Sequence, residues 1–167
     1  MQSARLDFVL ADLPILESLV AGKREDARRL IGADLPIEWP GAMLIERVFP
    51  IQLARLRGDP SGLAFSGRIA VDRKQRIVVG LVNLKGFPDD RGRVEVGYGI
   101  VASMRRRGYA AEAIGTVIAW ALAQPGVHEV IAPIERENAA SIATAERVGM
   151  QREPHADPRI AFYISRS

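Results

Sequence analysis

The chain has 167 residues, about the length of one domain, and is 48% hydrophobic and 26% charged, a balance that buries a core and differs from that of disordered or fibrous chains. With no cysteine and only two histidines, His128 and His155, disulfides, thiolate nucleophiles and sulfur-ligated metals are excluded and no metal centre is expected. Twenty-three basic against 20 acidic residues leave a net charge of +3, too even for a nucleic-acid-binding arm; with no signal pattern and no apolar run long enough to span a bilayer, a cytoplasmic protein without nucleic-acid or membrane partners is expected.

Leu6 to Leu10 reads as a strand, and Asp12-Leu13-Pro14 as a capped helix start. The helical pattern divides at Ala21-Gly22, and its second piece, Lys23 to Ile31, is expected to turn Leu30 and Ile31 inward. Gly32, Pro36 and Pro40 make 32 to 40 a loop. Gly41 to Arg57 returns to helical spacing through Met43, Leu44, Val48, Leu53 and Leu56, with Pro50 expected to kink or divide it. Gly67 to Val71, a polar turn Asp72 to Gln75, and Arg76 to Leu84 form a hairpin. After a loop from Gly86 to Arg93, Val94 to Val101 extends it into a three-stranded antiparallel meander.

Between Ala110 and Ala123 an apolar stripe of Ala111, Ile114, Val117, Ile118, Ala121 and Leu122 marks a helix. Pro125-Gly126 ends it, and Glu129 to Ile134 is a short strand returning parallel to the previous one through a right-handed crossover. Asn138 starts a last helix that Gly149 closes, and Ile160 to Ile164 is a final strand. No repeat or linker divides the chain, so a single domain over 1–167 is expected.

The chemistry concentrates between Glu95 and Met150. Arg105-Arg106-Arg107-Gly108-Tyr109-Ala110 lies between a strand and the strongest helix. Free amides and the positive dipole end at a helix N-terminus suit a phosphate or pyrophosphate, Gly108 permits close approach, and arginines add charge-assisted bonds. The same residues also read as a solvated basic loop, because the Gly-Lys-Ser/Thr ending of a P-loop is absent. In the preceding strand Val94, Val96, Tyr98 and Ile100 share one face, while Glu95, Gly97 and Gly99 share the other. Alternate glycines fit close approach by a ligand, or a bulge or edge. Glu95 is a candidate general base or a solvated acid. No Gly-x-Ser-x-Gly elbow is present, so a covalent acyl-enzyme is not expected.

Strand, Arg-x-x-Gly-x-Ala loop at Arg105, Gly108 and Ala110, amphipathic helix, strand and Asn-led helix resemble, in this order, the GNAT superfamily of acetyl-CoA-dependent N-acetyltransferases. Glu95-Val-Gly-Tyr-Gly-Ile, Arg107-Gly-Tyr-Ala-Ala-Glu-Ala113, Glu137-Asn-Ala-Ala-Ser141 and Ala145-Glu-Arg-Val-Gly-Met150 are similar to the branch containing the ribosomal-protein-alanine N-acetyltransferases. The resemblance implies an α/β (α+β) fold with a mixed, mostly antiparallel sheet, flanking helices and a parallel strand pair splayed to hold CoA. It implies acetyl-CoA as cofactor and no metal. The pantetheine arm would pair with the backbone of Tyr98 and Ile100, the pyrophosphate would meet Arg105, Arg106, Arg107, Gly108, Tyr109 and Ala110, and Asn138 would bond the arm or cap its helix.

Direct attack by an amine would use Glu95 as general base through a water, and backbone N–H groups near Tyr98 to Ile100 for the oxyanion. Many relatives carry a tyrosine acid seven residues after the helix asparagine; here that position is Ala145. Ser141 is the substitute donor to the thiolate, or a first-turn polar residue, and Tyr98, Tyr109 and Tyr163 are further donors or core residues. The expected acceptor is a protein N-terminus or a small polar amine, and the alternative is a non-catalytic acyl-CoA-binding sensor or structural module. Glu46, Asp34, Glu38, Asp89 and Asp90 are candidates to meet a cationic amine or plain surface charges, and Trp39 either packs under its loop or lines the acceptor cleft. A homodimer formed through sheets or C-terminal strands is a further expectation of the resemblance.

Overall fold

Polar turns join successive β-branched runs, and each run pairs with its neighbour. In the computed structural model, which describes residues 1–166, β1 (Leu6–Leu10), β2 (Gly67–Asp72), β3 (Ile77–Leu84) and β4 (Arg93–Ile100) pair antiparallel in that order. β5 (Glu129–Glu135) then adds parallel to β4, and β7 (Ile160–Arg166) and β6 (Gln151–Glu153) follow antiparallel, giving the order β1-β2-β3-β4-β5-β7-β6. The expected mixed sheet with one parallel pair is therefore present. The three-residue β6 was not foreseen, because its exposed Gln-Arg-Glu run carries no apolar alternation.

Helices cover both faces. α4 (Tyr109–Leu122) and α5 (Ala139–Arg147) lie on the face that carries Tyr98 and Arg68: the Tyr98 hydroxyl donates to the Ser141 carbonyl of α5 at 2.8 Å, and the Arg68 guanidinium stacks on Trp120 of α4 at 3.9 Å. α3 (Phe49–Gly58) lies on the opposite face, where Gln52 donates to Asn83 of β3 at 2.8 Å. α1 (Leu13–Val20), capped by Asp12 on the Ile15 amide, and α2 (Arg24–Ile31) stack beside α3.

Two sequence expectations change. Ile31 is buried but Leu30 is 49% exposed; the inward face of this short helix is set by Ala27 and Ile31, one turn apart, and Leu30 lies about 100° around the helix from Ile31 and about 60° from Ala27, on the outer side of both. Pro50 divides the 41–57 stretch as expected: it sits in the first turn of α3, where its missing N–H costs nothing, behind a π-helical turn Leu44–Val48. That widened turn leaves Met43, expected in the apolar stripe, 60% exposed.

The site is positioned by the way β4 and β5 part. Their register runs only from Arg93↔Glu129 to Glu95↔Ile131. Bonds from Lys85 N–H to Glu95 O and from Val101 N–H to Val79 O show that odd-numbered residues of β4 pair with β3, so the backbone of Val96, Tyr98 and Ile100 faces the opposite edge. Likewise Arg136 N–H bonds Arg159 O in the β5–β7 register, which turns odd-numbered residues of β5 toward β4. The next rung would need the N–H of residue 133, and residue 133 is proline. Pairing stops and the strands diverge.

Restoring that donor with Pro133→Ala is expected to let the pair close by one rung. Amide exchange at residue 133 then becomes protected in the variant, by about the free energy of one hydrogen bond, roughly 1 kcal/mol.

Candidate active site

Two clefts meet at the open stretch of β4. The first, about 530 Å³, lies in the splay between β4, the N-terminal loop of α4 and the first turns of α5; it is lined by Tyr98, Gly99, Ile100, Arg105, Arg106, Gly108, Tyr109, Ala110, Asn138 and Ser141, with Met104, Thr144 and Arg147 among its other walls. The second, about 560 Å³, lies on the glycine face beneath the π-helical turn and is walled by Trp39, Leu44, Val48, Leu81, Asn83 and Lys85. Gly99 belongs to both, and a Cβ built there would have nothing within 4 Å, so the strand is bare on the side of the second cleft.

The loop after β4 is turned by left-handed backbone at Arg106 (φ 60°) and Gly108 (φ 80°), the latter being the N-cap of α4. The amides from Arg106 to Ala111 donate to no protein group among the described residues. With the helix dipole behind them they form an anion cradle, and the unpaired edge of Tyr98 and Ile100 suits an extended, amide-bearing chain. The Arg105 guanidinium closes one end by donating from Nε to Ile100 O at 3.2 Å. These features fit a nucleotide diphosphate joined to a pantetheine arm. Among the described residues no cluster of metal-ligating side chains exists, and no helix is long and apolar enough to cross a membrane.

Most sequence-selected residues come together here, with corrections. Arg107 contributes only its free amide to the loop: it is absent from the groove lining, and its carbonyl accepts from Arg5 Nη1 at 3.0 Å, on the side of the N-terminal segment. Tyr109 is buried and donates to Asp72 at 2.6 Å, so its hydroxyl is committed to the core side and only its backbone serves the loop. Tyr163 is fully buried and donates to Glu146 at 2.7 Å, well inside the β7–α5 packing. Ala145 is fully buried too, so a tyrosine at this position would have to displace core. Asn138 caps α5 by accepting from the Ser141 amide at 3.1 Å, and Ser141 lies in the groove. Tyr98 has its hydroxyl in the same groove, and burial pushes its ionisation upward.

Glu95 stands on the glycine face but lines neither cleft; it is hydrogen-bonded to Lys85, which does line the second and whose Cε would lie 3.7 Å from a Cβ at Gly97. Of the acids considered for an amine, only Glu38 lines this cleft; its hydrogen bond from Ser103 holds it below the ordinary carboxylate range. Asp34 pairs with Arg28 and Asp89 with Arg93, away from it. Trp39 fulfils both expectations: it is buried edge-on against Phe49 at 6.3 Å and forms part of the cleft wall.

Sequence reasoning missed a latch at the loop. Glu112, in the first turn of α4, accepts from Ser3 Oγ, the Arg5 amide and Arg5 Nε, each at 2.7 Å, while the Arg5 guanidinium lies 4.5 Å over the Tyr109 ring. An acid in a helix's first turn was the only visible signal; its partners are more than a hundred residues away.

The sequence profile of an acetyltransferase (GNAT) domain matches residues 19–151. A curated relative, the uncharacterised N-acetyltransferase YjdG of Bacillus subtilis, is 30% identical over 150 residues, 89% of this chain and 88% of that protein. Among solved structures the fold is shared with a putative ribosomal-protein-serine acetyltransferase from Vibrio cholerae (TM-score 0.67, 20% identity, 99% of this chain and 96% of that one). It is also shared with a spermidine N-acetyltransferase from Vibrio cholerae in complex with CoA and spermine (TM-score 0.64, 14% identity, 96% and 94%).

The latch carries a pH signature. For Glu112 burial opposes the charge, but the hydrogen bonds from Ser3 and Arg5 outweigh it and hold the carboxyl low; for Asp72 burial is likewise outweighed by Tyr109, the amides of Gln75 and Lys74, and Arg5. Carboxyls depressed on folding stabilise fully above their unfolded values near 4 and lose that contribution as the pH falls through the folded ones. Glu112→Gln is therefore expected to cost about 1–2 kcal/mol at pH 7 and to flatten the loss of stability below about pH 4, as measured by urea unfolding across pH.

Proposed function

Because the chain belongs to the GNAT acetyltransferase family, we propose that it moves the acetyl group of acetyl-CoA to a primary amine, a protein N-terminus or a small polar amine, by direct attack in a ternary complex. The observation that carries this reading is Gly99: bare backbone shared by a groove fit for a pantetheine arm and an apolar cleft fit for an acceptor. The coenzyme supplies the activated acyl group as a thioester. The backbone of Tyr98 and Ile100 aligns its arm, the amides from Arg106 to Ala111 hold its pyrophosphate with Arg105 and Arg106, and Asn138 fixes the first turn of α5 that carries Ser141.

Glu95, four residues from Gly99 along β4, accepts the amine's proton through a relay of waters. As the new C–N bond forms and the C–S bond breaks, the N–H groups at the open edge of Tyr98 and Ile100 meet the charge on the carbonyl oxygen, and Ser141 relays a solvent proton to the departing sulfur. Tyr98 supports that relay by position: its hydroxyl proton is held by the Ser141 carbonyl, which fixes the first turn of α5.

Calorimetric titration of acetyl-CoA and CoA is expected to give saturable binding that Gly108→Glu abolishes, because a side chain at φ 80° strains the loop and its Cβ, 3.4 Å from the Arg5 guanidinium, draws the added carboxylate onto the cation that latches the loop. In an assay of CoA release with an amine panel, Glu95→Gln is expected to lower kcat about a hundredfold or more, and Ser141→Ala about tenfold, with acetyl-CoA affinity retained. Saturable binding with no amine acetylated would instead mark an acyl-CoA sensor.

A further inference from the structure

The acceptor cleft is unequal in charge and in hydrogen-bonding capacity. Lys85 and Arg105 are its cations and Glu38 its carboxylate. Glu38 already accepts from the Ser103 amide, Arg105 Nε is spent on Ile100 O, and the Asn83 carbonyl oxygen is spent on Gln52. Glu38 keeps a free carboxylate oxygen on the Ser103 side, whereas at the Gly97 end the polar capacity left over is donor: the Asn83 amide nitrogen and the Lys85 ammonium, which has three N–H groups and gives one to Glu95. At the Lys85–Asn83 end of the cleft a polycationic amine would meet only donors and positive charge. An oxyanion would meet partners.

Geometry places these donors at a useful distance. The Lys85 stem crosses Gly97, and the open space lies over Gly99, two residues further along the strand and about 7 Å away. An amine seated over Gly99, beside the open edge of Tyr98 and Ile100, has room for an oxygen-bearing group extended toward Lys85. Leu44, Val48, Leu81 and Val101 make the remaining wall apolar, which suits a compact hydrocarbon side chain.

Resting on the transferase reading above, we infer that Lys85 is the specificity-determining residue for the acceptor, and that the acceptor is an amine with a carboxyl-derived oxygen close to it and a compact apolar side chain. A free carboxylate fits best, since the lysine offers a full charge; the first carbonyl of a peptide shares the same chemistry. Lys85 then works twice. By turning from Glu95 to the incoming carboxylate it anchors the acceptor, and it frees a Glu95 oxygen to accept the proton that the ammonium must lose before attack.

The test compares L-leucine, 3-methylbutylamine (leucine without its carboxylate), a leucyl dipeptide and spermidine as acceptors, with the wild-type protein, Lys85→Met and Lys85→Arg. The wild type is expected to favour leucine over 3-methylbutylamine by tenfold or more in kcat/KM, and Lys85→Met to bring that ratio toward one, chiefly through KM, while Lys85→Arg keeps most of it. The dipeptide arm separates a free carboxylate from a peptide carbonyl. Lys85 is half-exposed and its ion pair contributes little stability, so the variants should fold.

A wild-type ratio near one, a ratio unmoved by Lys85→Met, or spermidine as the best acceptor would overturn the inference while leaving acetyl transfer intact. Binding of leucine to the CoA-loaded protein, followed by calorimetry, separates the two failures. Lys85-dependent binding without acetylation would uphold the anion subsite and remove the transferase reading. Neither binding nor transfer would remove both.

Discussion

The structure turns on a hydrogen-bond ladder that stops. β-strands at the centre of a sheet ordinarily satisfy both edges, because unpaired backbone groups are costly once removed from water. From Glu95 onward β4 satisfies one edge with β3, and it satisfies the other only as far as the Glu95↔Ile131 pair. A proline at position 133 withholds the donor that the next rung requires. An open edge in mid-sheet invites another strand, and here the extended arm of a coenzyme can provide the missing partners without competing against a protein rung. The flanking elements then frame one groove: the loop of α4 at the open end of β4, and the first turn of α5 beyond β5.

The loop poses a second problem, since it must concentrate amide donors and positive charge without collapsing onto itself. Left-handed backbone at Arg106 and Gly108 keeps the amides from satisfying one another. Arg5, Ser3 and Glu112 hold the loop from outside, through the Arg107 carbonyl and the first turn of α4. Tyr109, anchored on Asp72, pins the same turn to the core. The three arginines are thus not equivalent: Arg105 and Arg106 face the groove, while Arg107 serves the latch through its carbonyl.

Periodicity made the meander, the long helix, the parallel strand and the Asn-capped helix legible, because in each the apolar spacing and the turn residues agree. It failed where they do not. Leu30 is apolar but lies off the narrow buried face of a short helix, and β6 is held by pairing with β7 rather than by any pattern of its own. The residues lining the groove were legible because loop and strand are local in sequence. The Arg5–Glu112 latch, the commitment of Tyr109 to Asp72 and the closure of Glu95 by Lys85 were not, since each depends on a register between segments that only the folded sheet brings together.

β4 is asymmetric for a reason that follows from its position. On one face Val94, Val96 and Tyr98 must carry the packing of α4 and α5, so their side chains are large. On the other face Glu95, Gly97 and Gly99 carry none of it, and the absence of Cβ atoms gives room first for the Lys85 stem and then for open space. On the proposed reading, a coenzyme arm along the edge and an acceptor on the bare face would approach each other only where the open edge of Tyr98 and Ile100 flanks the bare face of Gly99. Any side chain there would fill the open space over Gly99 that this reading requires. A helix or a uniformly substituted strand cannot offer this combination, because it requires unpaired backbone in the plane of the sheet and no substituent perpendicular to it. The glycine alternation and the broken ladder are therefore two halves of one requirement, the first written in β4 and the second in β5.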